Sequence, residues 1–304
     1  MNVWQLFNLQ GTLFLMILAG VVLKRLGILD ANGKKTLTDL CVDIVIPCNI
    51  IKSFLVEFQP DVLQACGALL VVGFLLQLLC VVFNKFLFNR YPDQQKKVLQ
   101  YCTIVSMGGF LGNPVAEGVF GDLGLLYTSM FLIPMRVVMW SAGTSYFVSG
   151  GTDKKKVLKN VLTHPCLVAV YLGVILMITQ LQLPEMLTSA IKSIGGCNSA
   201  LTMFIIGTIL ADVKLTTIVN PTTVAFSCFR LGLLPLIAWG VSVAFHLDPV
   251  ARGIAVLMTG MPAGATAAIF AARYNSDAPF ATRCVVLTTL ISMFTLPVWC
   301  MVVA

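Results

Sequence analysis

Charged residues are scarce in this chain of 304 residues. They make up 11% of the sequence, whereas hydrophobic residues make up 58%. Globular domains carry about 25% charged residues, and a soluble chain of this length could not keep so much apolar side chain away from water. The composition therefore excludes an ordinary soluble protein and predicts an integral membrane protein. The net charge of +7 is not a sign of nucleic-acid binding here, because the basic residues are concentrated in short loops.

The sequence also lacks the motifs of common catalytic and nucleotide-binding sites. It contains no GxxxxGK[ST], HExxH or GxSxG, only two histidines, and ten cysteines that all lie in apolar segments and never form CxxC. Scattered apolar cysteines are typical of helix packing rather than of a metal centre. We therefore expect neither an enzyme nor an ATP-driven pump, and no cofactor or metal.

Hydropathy and turn residues divide the chain into ten apolar segments of membrane-spanning character. The segments are 3–24, 36–57, 62–86, 96–121 (interrupted), 124–148, 161–180, 185–210, 219–245, 250–272 (interrupted) and 279–303. No Lys or Arg precedes the first segment and two follow it, the reverse of a signal peptide, so we expect a retained helix. The longest hydrophilic connection has about ten residues, which predicts a single membrane domain over 1–304.

The basic residues predict the orientation of these segments. Of the 20 Lys and Arg residues, fifteen lie in the loops after odd-numbered segments, three lie in the opposite loops, and Arg136 and Arg230 lie inside segments. Because basic loops stay in the cytoplasm, we expect the odd loops to be cytoplasmic and both termini to be extracellular, in a multi-pass protein of the plasma membrane.

Two short patterns indicate an internal repeat. Cys48-Asn49 recurs as Cys197-Asn198 after 149 residues, and 112–114 (Gly-Asn-Pro) recurs as 260–262 (Gly-Met-Pro) after 148 residues. Five segments per half give the halves opposite topology. The sequence thus predicts an all-α fold of two inverted five-helix repeats, 1–149 and 157–304, joined by a short cytoplasmic loop over 150–156.

The fourth and ninth segments carry proline and several glycines at their midpoints. Pro114 and Pro262 each lack an amide hydrogen and are expected to break their helices. Interrupted segments at matching positions of two halves indicate the binding site of a transporter. If the half-helices begin at these prolines and cross, their positive N-termini would stabilise an anion. Two ordinary proline kinks are the alternative.

The chain resembles the auxin efflux carrier family. The resemblance extends over all ten segments and is most specific in the stretches GFLGNPVAEGVFGD (109–122), ALTMFIIGTILA (200–211), RLGLLP (230–235) and GMPAGATAAIFAARYN (260–275). It implies broken, crossing fourth and ninth helices, an elevator-type movement against a dimeric scaffold, and small carboxylate substrates such as malate, malonate or indole-3-acetate. Family members often carry a substrate-contacting asparagine where this chain has Met107.

Four ionisable residues fall inside the predicted segments, where a charge costs at least ~2.5 kcal/mol. Glu117 is interpreted as a proton or sodium ligand, or else as an acid at a helix N-terminus. Asp43 either lines a cytoplasmic vestibule or lies near the interface. Arg136 is predicted to bind the substrate or to pair with Glu117, because its planar fork matches a carboxylate. Arg230 is predicted to be structural.

The candidate site combines these residues with the polar positions of the second and seventh segments. The predicted substrate-binding residues are Asn49, Met107, Gly112, Asn113, Pro114, Arg136, Asn198, Met261, Pro262 and Gly264. We expect a homodimeric secondary transporter of small organic anions that works by alternating access. A channel or a ligand-binding membrane sensor on the same fold is the alternative, and the sequence leaves coupling to H⁺, to Na⁺ or to no ion open.

Overall fold

The computed structural model describes residues 3–55, 60–147, 159, 162–211, 218–274 and 276–303, so the predicted loop over 150–156 lies outside the described residues. In this part of the chain every regular element is a helix. The helices are α1 Val3–Arg25, α2 Ala31–Leu40, α3 Ile46–Phe54, α4 Pro60–Phe86, α5 Asp93–Ile104, α6 Asn113–Val138, α7 Thr144–Phe147, α8 Pro165–Thr179, α9 Glu185–Gly196, α10 Asn198–Ala211, α11 Pro221–Cys228, α12 Leu234–Ala244, α13 Pro249–Thr259, α14 Thr266–Arg273 and α15 Ala278–Val303.

The helices follow the apolar segments of the sequence. Five continuous helical stretches are long and apolar enough to cross a bilayer: Pro60–Phe86, Gly108–Phe147, Glu185–Ala211, Pro221–Ala244 and Ala278–Val303. Two shorter apolar helices, Pro165–Thr179 and Pro249–Thr259, add to them. An all-helical membrane protein is therefore confirmed for the described residues.

Four short π-helical turns lie within or between these helices: Cys41–Val45, Gly108–Gly112, Met139–Gly143 and Phe229–Leu233. Three of them end just before a helix whose second residue is proline, namely Pro47, Pro114 and Pro235. A proline ring normally clashes with the carbonyl four residues earlier, and that carbonyl here belongs to the wider π-helical turn. The helix therefore continues through each proline.

The prediction that a half-helix begins at Pro114 was wrong, because the chain is already helical from Gly108. The interruption lies earlier, between the end of α5 at Ile104 and Gly108. We call residues 105–107 the first interruption. The helix after the break then runs to Gly121, whose φ of 66° is open to glycine but strained for other residues. The chain turns there, as the boundary between the fourth and fifth segments predicts.

The second break lies between α13 and α14. The helix ends at Thr259 and resumes at Thr266, and we call residues 260–265 the second interruption. Pro262 lies inside this interruption and does not begin the following half-helix, so that part of the prediction was also wrong. Because Pro114 is helical and Pro262 is not, the two prolines are not structurally equivalent, although they match in the sequence pattern.

The remaining helices surround the two interruptions. α1 packs along α10, and α3 packs against α8 and α9. α4 packs against α6, and α15 contacts α1, α13 and α14. Both interruptions therefore lie inside the bundle, where Met107, Met261 and Ala263 are almost completely buried.

Candidate functional site

The two interruptions pair with each other inside the bundle. The backbone N–H of Met107 donates to the carbonyl of Pro262 at 2.8 Å, and the N–H of Gly264 donates to the carbonyl of Val105 at 2.9 Å. These bonds form one short antiparallel bridge between the fourth and ninth predicted segments. Each interruption thus satisfies backbone groups that the other one frees, which is a requirement for irregular backbone at membrane depth.

Side chains satisfy further backbone groups of the bridge. Ser106 and Ala263 form its centre. The N–H and the hydroxyl of Ser106 both contact the Met135 sulfur, at 3.4 and 3.2 Å, and the N–H of Ala263 donates to the Thr288 hydroxyl at 3.2 Å. The interruptions are therefore held by contacts with α6 and α15 as well as by each other.

Arg230 connects the two breaks from the side. Its Nη1 donates to the carbonyl of Thr103 at 2.5 Å and its Nε donates to the carbonyl of Met261 at 3.1 Å. Thr103 belongs to the last turn of α5, where carbonyls lack helical partners, and Met261 lies in the second interruption. Arg230 is only 3% exposed, so its charge is spread over carbonyl dipoles rather than over water.

A cavity of about 230 Å³ lies against the paired interruptions, and we call it the Arg136 cavity. Its walls include Met107 and Gly264 from the interruptions and Arg136 from the last turn of α6. Arg136 is 5% exposed, and its Nη1 has no hydrogen-bond partner among the described residues. The cavity thus brings three of the predicted substrate-binding residues together around a buried cation with a free donor.

Most of the other walls of the Arg136 cavity are apolar. They include thioethers and aromatic rings, such as Met135, Met139 and Phe270, with the hydroxyls of Ser106 and Thr266 as additional polar groups. An uncharged or cationic guest would leave the guanidinium unpaired. The chemistry of the walls therefore suits a small anion with an organic body.

A second cavity of about 290 Å³ also touches Met107, and we call it the Lys34 cavity. It shares Met107, Phe110, Ala265 and Thr266 with the Arg136 cavity and is otherwise lined by α2, α10, α14 and Thr282 of α15. Thr38 lies at the start of the second predicted segment, and Lys34 lies in the basic loop that precedes it. Both cavities thus reach the interruptions from the end of the bundle that the basic loops predict to be cytoplasmic.

His164 also lines the Arg136 cavity. It caps α8 from outside the helix, and its Nδ1 accepts a hydrogen bond from the backbone N–H of Cys166 at 3.3 Å. The proton of the neutral ring therefore lies on Nε2. His164 and Arg136 therefore face the same cavity, one with an imidazole and the other with a guanidinium.

The three predicted asparagines line neither cavity. Asn49, Asn113 and Asn198 are each at most 1% exposed, and both side-chain polar atoms of each lack a partner among the described residues. Asn49 lies beside Gly195, since a Cβ on that glycine would approach its Cα to 2.9 Å. Three unpaired buried amides are unusual, because buried polar groups are normally satisfied.

The remaining predicted site residues also lie outside both cavities. Glu117 forms an ion pair with Lys52 of α3 at 2.6 Å rather than with Arg136, and Asp122 joins it at 3.3 Å. Lys52 lies near the end of α3 that leads to α4, at the pole opposite to Lys34. Asp43 is exposed. Four more predicted residues line neither cavity and lie in the interruptions or in the helical stretch that follows the first one: Gly112, Pro114, Met261 and Pro262.

Sequence reasoning missed His164, Lys52, Ser106 and Thr266. His164 carried a weak signal, since a histidine directly before Pro165 opens an apolar segment at the end of a lysine-rich loop. Lys52 near the end of the second segment was counted only as a loop charge. Ser106 and Thr266 are ordinary polar residues in sequence and become notable only because the interruptions place them at the cavity.

Interrupted helices that meet inside an apolar helical bundle, next to a cavity with a buried charge, are typical of the binding site of a membrane transporter. The sequence model of a family described as "Membrane transport protein" matches residues 11–160 and 152–300. The chain belongs to this family, which is the auxin efflux carrier family that its motifs resemble.

Individual relatives agree with this assignment. An uncharacterized transporter of Methanothermobacter thermautotrophicus is 26% identical over 297 residues, which is 96% of each chain. An uncharacterized transporter of Methanocaldococcus jannaschii is 25% identical over 94% of each chain. The uncharacterized transporter YfdV of Escherichia coli K12 is 24% identical over 72% of this chain and 73% of its own. The family and these relatives are membrane transporters, not enzymes.

Proposed function

We propose that this protein is a secondary transporter of small organic anions and that Arg136 binds the anionic group. The observation that carries this proposal is the buried, unpartnered Nη1 of Arg136 in a cavity that touches both interruptions. A guanidinium offers a carboxylate two parallel hydrogen bonds. An anion in this cavity would pair with a charge that has no acidic partner among the described residues.

The helix termini at the cavity support the same sign of charge. The helical turn that begins at Gly108 and the helix that begins at Thr266 both start beside the Arg136 cavity, where Met107 and Thr266 form part of the wall. The N-terminus of a helix carries a partial positive charge. Two such termini together with Arg136 make the cavity attractive to an anion and unfavourable for a cation.

The three asparagines belong to a later stage of the proposed cycle. Asn49, Asn113 and Asn198 have free amide donors and acceptors but lie away from the cavities as described. We propose that they contact the anion, or water that accompanies it, as the substrate moves away from the cytoplasmic end. Glu117 and Asp43 stay candidates for ion coupling on the sequence evidence alone.

The proposed architecture has ten membrane spans in two inverted repeats, with the fourth and ninth spans crossing. Positive-inside topology puts both termini outside the plasma membrane, and the family resemblance suggests a homodimer with an elevator-type movement. The cavities open toward the predicted cytoplasmic end, while the Lys52–Glu117 pair lies at the opposite end. The described conformation therefore corresponds to an inward-facing state of the proposed cycle.

Flux across a membrane tests the proposal directly. Protein in proteoliposomes loaded with unlabelled carboxylate should accumulate the same labelled carboxylate by exchange, with a panel of acetate, malonate, succinate and benzoate as probes. Arg136→Gln should reduce exchange at least tenfold, and Arg136→Lys should keep part of it because the charge is retained. Lys192→Gln, an exposed residue of α9 that lines neither cavity, is the matched control and should exchange like the wild type.

Three results would contradict the proposal. Wild-type protein that binds a carboxylate but gives no exchange would indicate a sensor, and exchange that does not saturate with concentration would indicate a channel. Full activity in Arg136→Gln would place the anion elsewhere.

A further inference from the structure

His164 and Arg136 line the same cavity but are in opposite chemical situations. Arg136 contributes a guanidinium to the cavity, whereas His164 contributes an imidazole, a group that can gain or lose a proton near neutral pH. The Nδ1 of His164 is already used by the Cys166 N–H, which leaves Nε2 as the atom that carries the proton of the neutral ring. The anion site proposed above does not require a proton on His164.

An anion bound to Arg136 would change the balance at His164. It cancels the positive charge that opposes protonation, and it adds a negative charge within the same cavity. Both changes favour the imidazolium. Binding of an anion and binding of a proton are therefore coupled, and thermodynamic reciprocity requires that a proton on His164 also strengthen anion binding.

We propose that His164 is the proton-coupling residue of this transporter: it takes up one proton from the cytoplasmic solution when an organic anion binds in the Arg136 cavity, and the two cross together. The step forms one N–H bond at Nδ1, which gives up the hydrogen bond that it accepts from the Cys166 N–H, and breaks one O–H bond of hydronium or of a buffer acid, so charge and atoms balance. A monoanion and one proton then move as an electroneutral pair. This inference rests on the anion site proposed above.

The other charged and titratable groups near α8 do not offer the same coupling. The elements that pack against α8 are α3, α6 and the π-helical turn Cys41–Val45. Arg136 is the group of α6 at the cavity, and the turn contributes the buried Cys41 thiol and the exposed Asp43. α3 contributes the Cys48 thiol and Lys52, which is paired with Glu117 of α6. On the chain ahead of α8, Lys159 is exposed.

Coupling at His164 makes a different prediction from coupling at Glu117. Glu117 forms an ion pair with Lys52 at the other pole and lines neither cavity, so a proton there would not sense an anion on Arg136 directly. His164 shares a wall with that anion. The placement of the two groups therefore favours His164 as the site of proton uptake.

The first test measures anion binding to the purified full-length protein by titration calorimetry at pH 5.5, 6.5 and 7.5, with the carboxylate panel as probes. Wild-type affinity should rise as pH falls, approaching about tenfold per unit while the free ring is neutral and the bound ring is protonated. In His164→Gln, affinity should be independent of pH apart from the ionisation of the probe, which is identical for both proteins. His246→Asn, at the exposed outer end, should behave like wild type.

The second test uses unmodified protein and so does not depend on the folding of a variant. The chain has only two histidines, so a ¹³C-histidine-labelled sample gives two ring signals, and His246→Asn assigns them. At pH 6, addition of a bound carboxylate should move the His164 signal toward the protonated position and leave His246 unchanged.

The outcomes separate this inference from the proposed function. Anion binding with the same pH dependence in wild type and His164→Gln, or a His164 signal that stays neutral when anion binds, would overturn proton coupling at His164 and leave the anion site intact. If no carboxylate binds to wild-type protein, the anion site itself fails and this inference fails with it.

Discussion

Replacing Arg230 with methionine should weaken the core of the protein without touching either cavity. Methionine fills a similar volume and is flexible enough to pack into an irregular space. The substitution removes the hydrogen bonds to the carbonyls of Thr103 and Met261. Both carbonyls then stay buried without a donor, because the N–H groups that would follow them in a helix belong to the interruptions.

The expected magnitude follows from these two bonds. Hydrogen bonds to a charged group contribute roughly 1.5–3 kcal/mol each in soluble proteins, but side-chain bonds within membrane bundles average only about 0.6 and reach about 1.7 kcal/mol. Because Arg230 is completely enclosed, values near the upper membrane figure apply, and two bonds give about 3 kcal/mol. A loss of this size lowers the melting temperature by roughly 6–12 °C in a chain of this length.

The buried cysteines provide the assay. Seven of the ten thiols are buried, and Cys197 and Cys228 are exposed. In a background that carries Cys197→Ser and Cys228→Ser, a thiol-reactive fluorescent dye reports melting as the buried thiols become accessible. Arg230→Met should melt several degrees below this background, and Arg230→Lys should lie between the two, because an ammonium can keep one of the carbonyl contacts.

An unchanged melting temperature in Arg230→Met would refute the reasoning. It would mean that the two carbonyls find other donors, such as water, at no cost. It would also remove the basis for predicting that Arg230 is structural. Reduced carboxylate binding at an unchanged melting temperature would instead place Arg230 in the substrate site.

Three further outcomes are expected. Gly264→Ala places a Cβ 2.8 Å from the Val105 side chain. It should therefore push the two segments of the bridge apart, lower the stability of the protein by about 1–3 kcal/mol and reduce carboxylate exchange. An alanine variant with normal exchange would contradict a tightly closed bridge. Lys52→Glu and Glu117→Lys should each lower stability by no more than about 1 kcal/mol, since both side chains are partly exposed. The variant that carries both substitutions should recover most of the loss. A double variant that is no more stable than the single ones would show that the pair contributes nothing. Tags at the N- and C-termini should be accessible only from outside intact cells, and labelling from the cytoplasm would reverse the predicted topology.

Features that depend on local sequence were predictable. Apolar length and composition predict membrane helices because no other arrangement satisfies the backbone in lipid. The turn at Gly121 lies between the predicted fourth and fifth segments, and its positive φ explains why glycine is found there. The broken character of the fourth and ninth segments follows from glycine and proline in apolar surroundings, and both breaks are present.

The positions of the breaks were not predictable from proline alone. At Pro114 a π-helical turn from Gly108 absorbs the proline, and the same solution is found at Pro47 and Pro235. The real interruptions are fixed by pairing between segments more than 150 residues apart, such as the bond from Met107 to Pro262. A local pattern contains no information about that partner.

The pairing of charges also depended on tertiary structure. Pairing of Glu117 with Arg136 was one of the two roles predicted for that arginine, because its planar fork matches a carboxylate. In the structure Glu117 instead pairs with Lys52, a side chain of the second segment, at the opposite pole. The role of His164 was missed for the same reason, because only the packing of α8 against the π-helical turn Cys41–Val45 and α6 places this residue at the cavity.

The two buried arginines show how one fold uses the same side chain in two ways. Arg230 is surrounded by carbonyls that the interruptions leave without partners, so its hydrogen bonds are made within the protein and its position is fixed. Arg136 faces the Arg136 cavity. The backbone groups that the interruptions free already pair with each other there, so no carbonyl is left for its Nη1. Full pairing of the bridge is therefore what leaves Arg136 available. The same set of backbone bonds thus provides rigidity and the proposed anion site, and a variant that loosens the bridge should weaken both together.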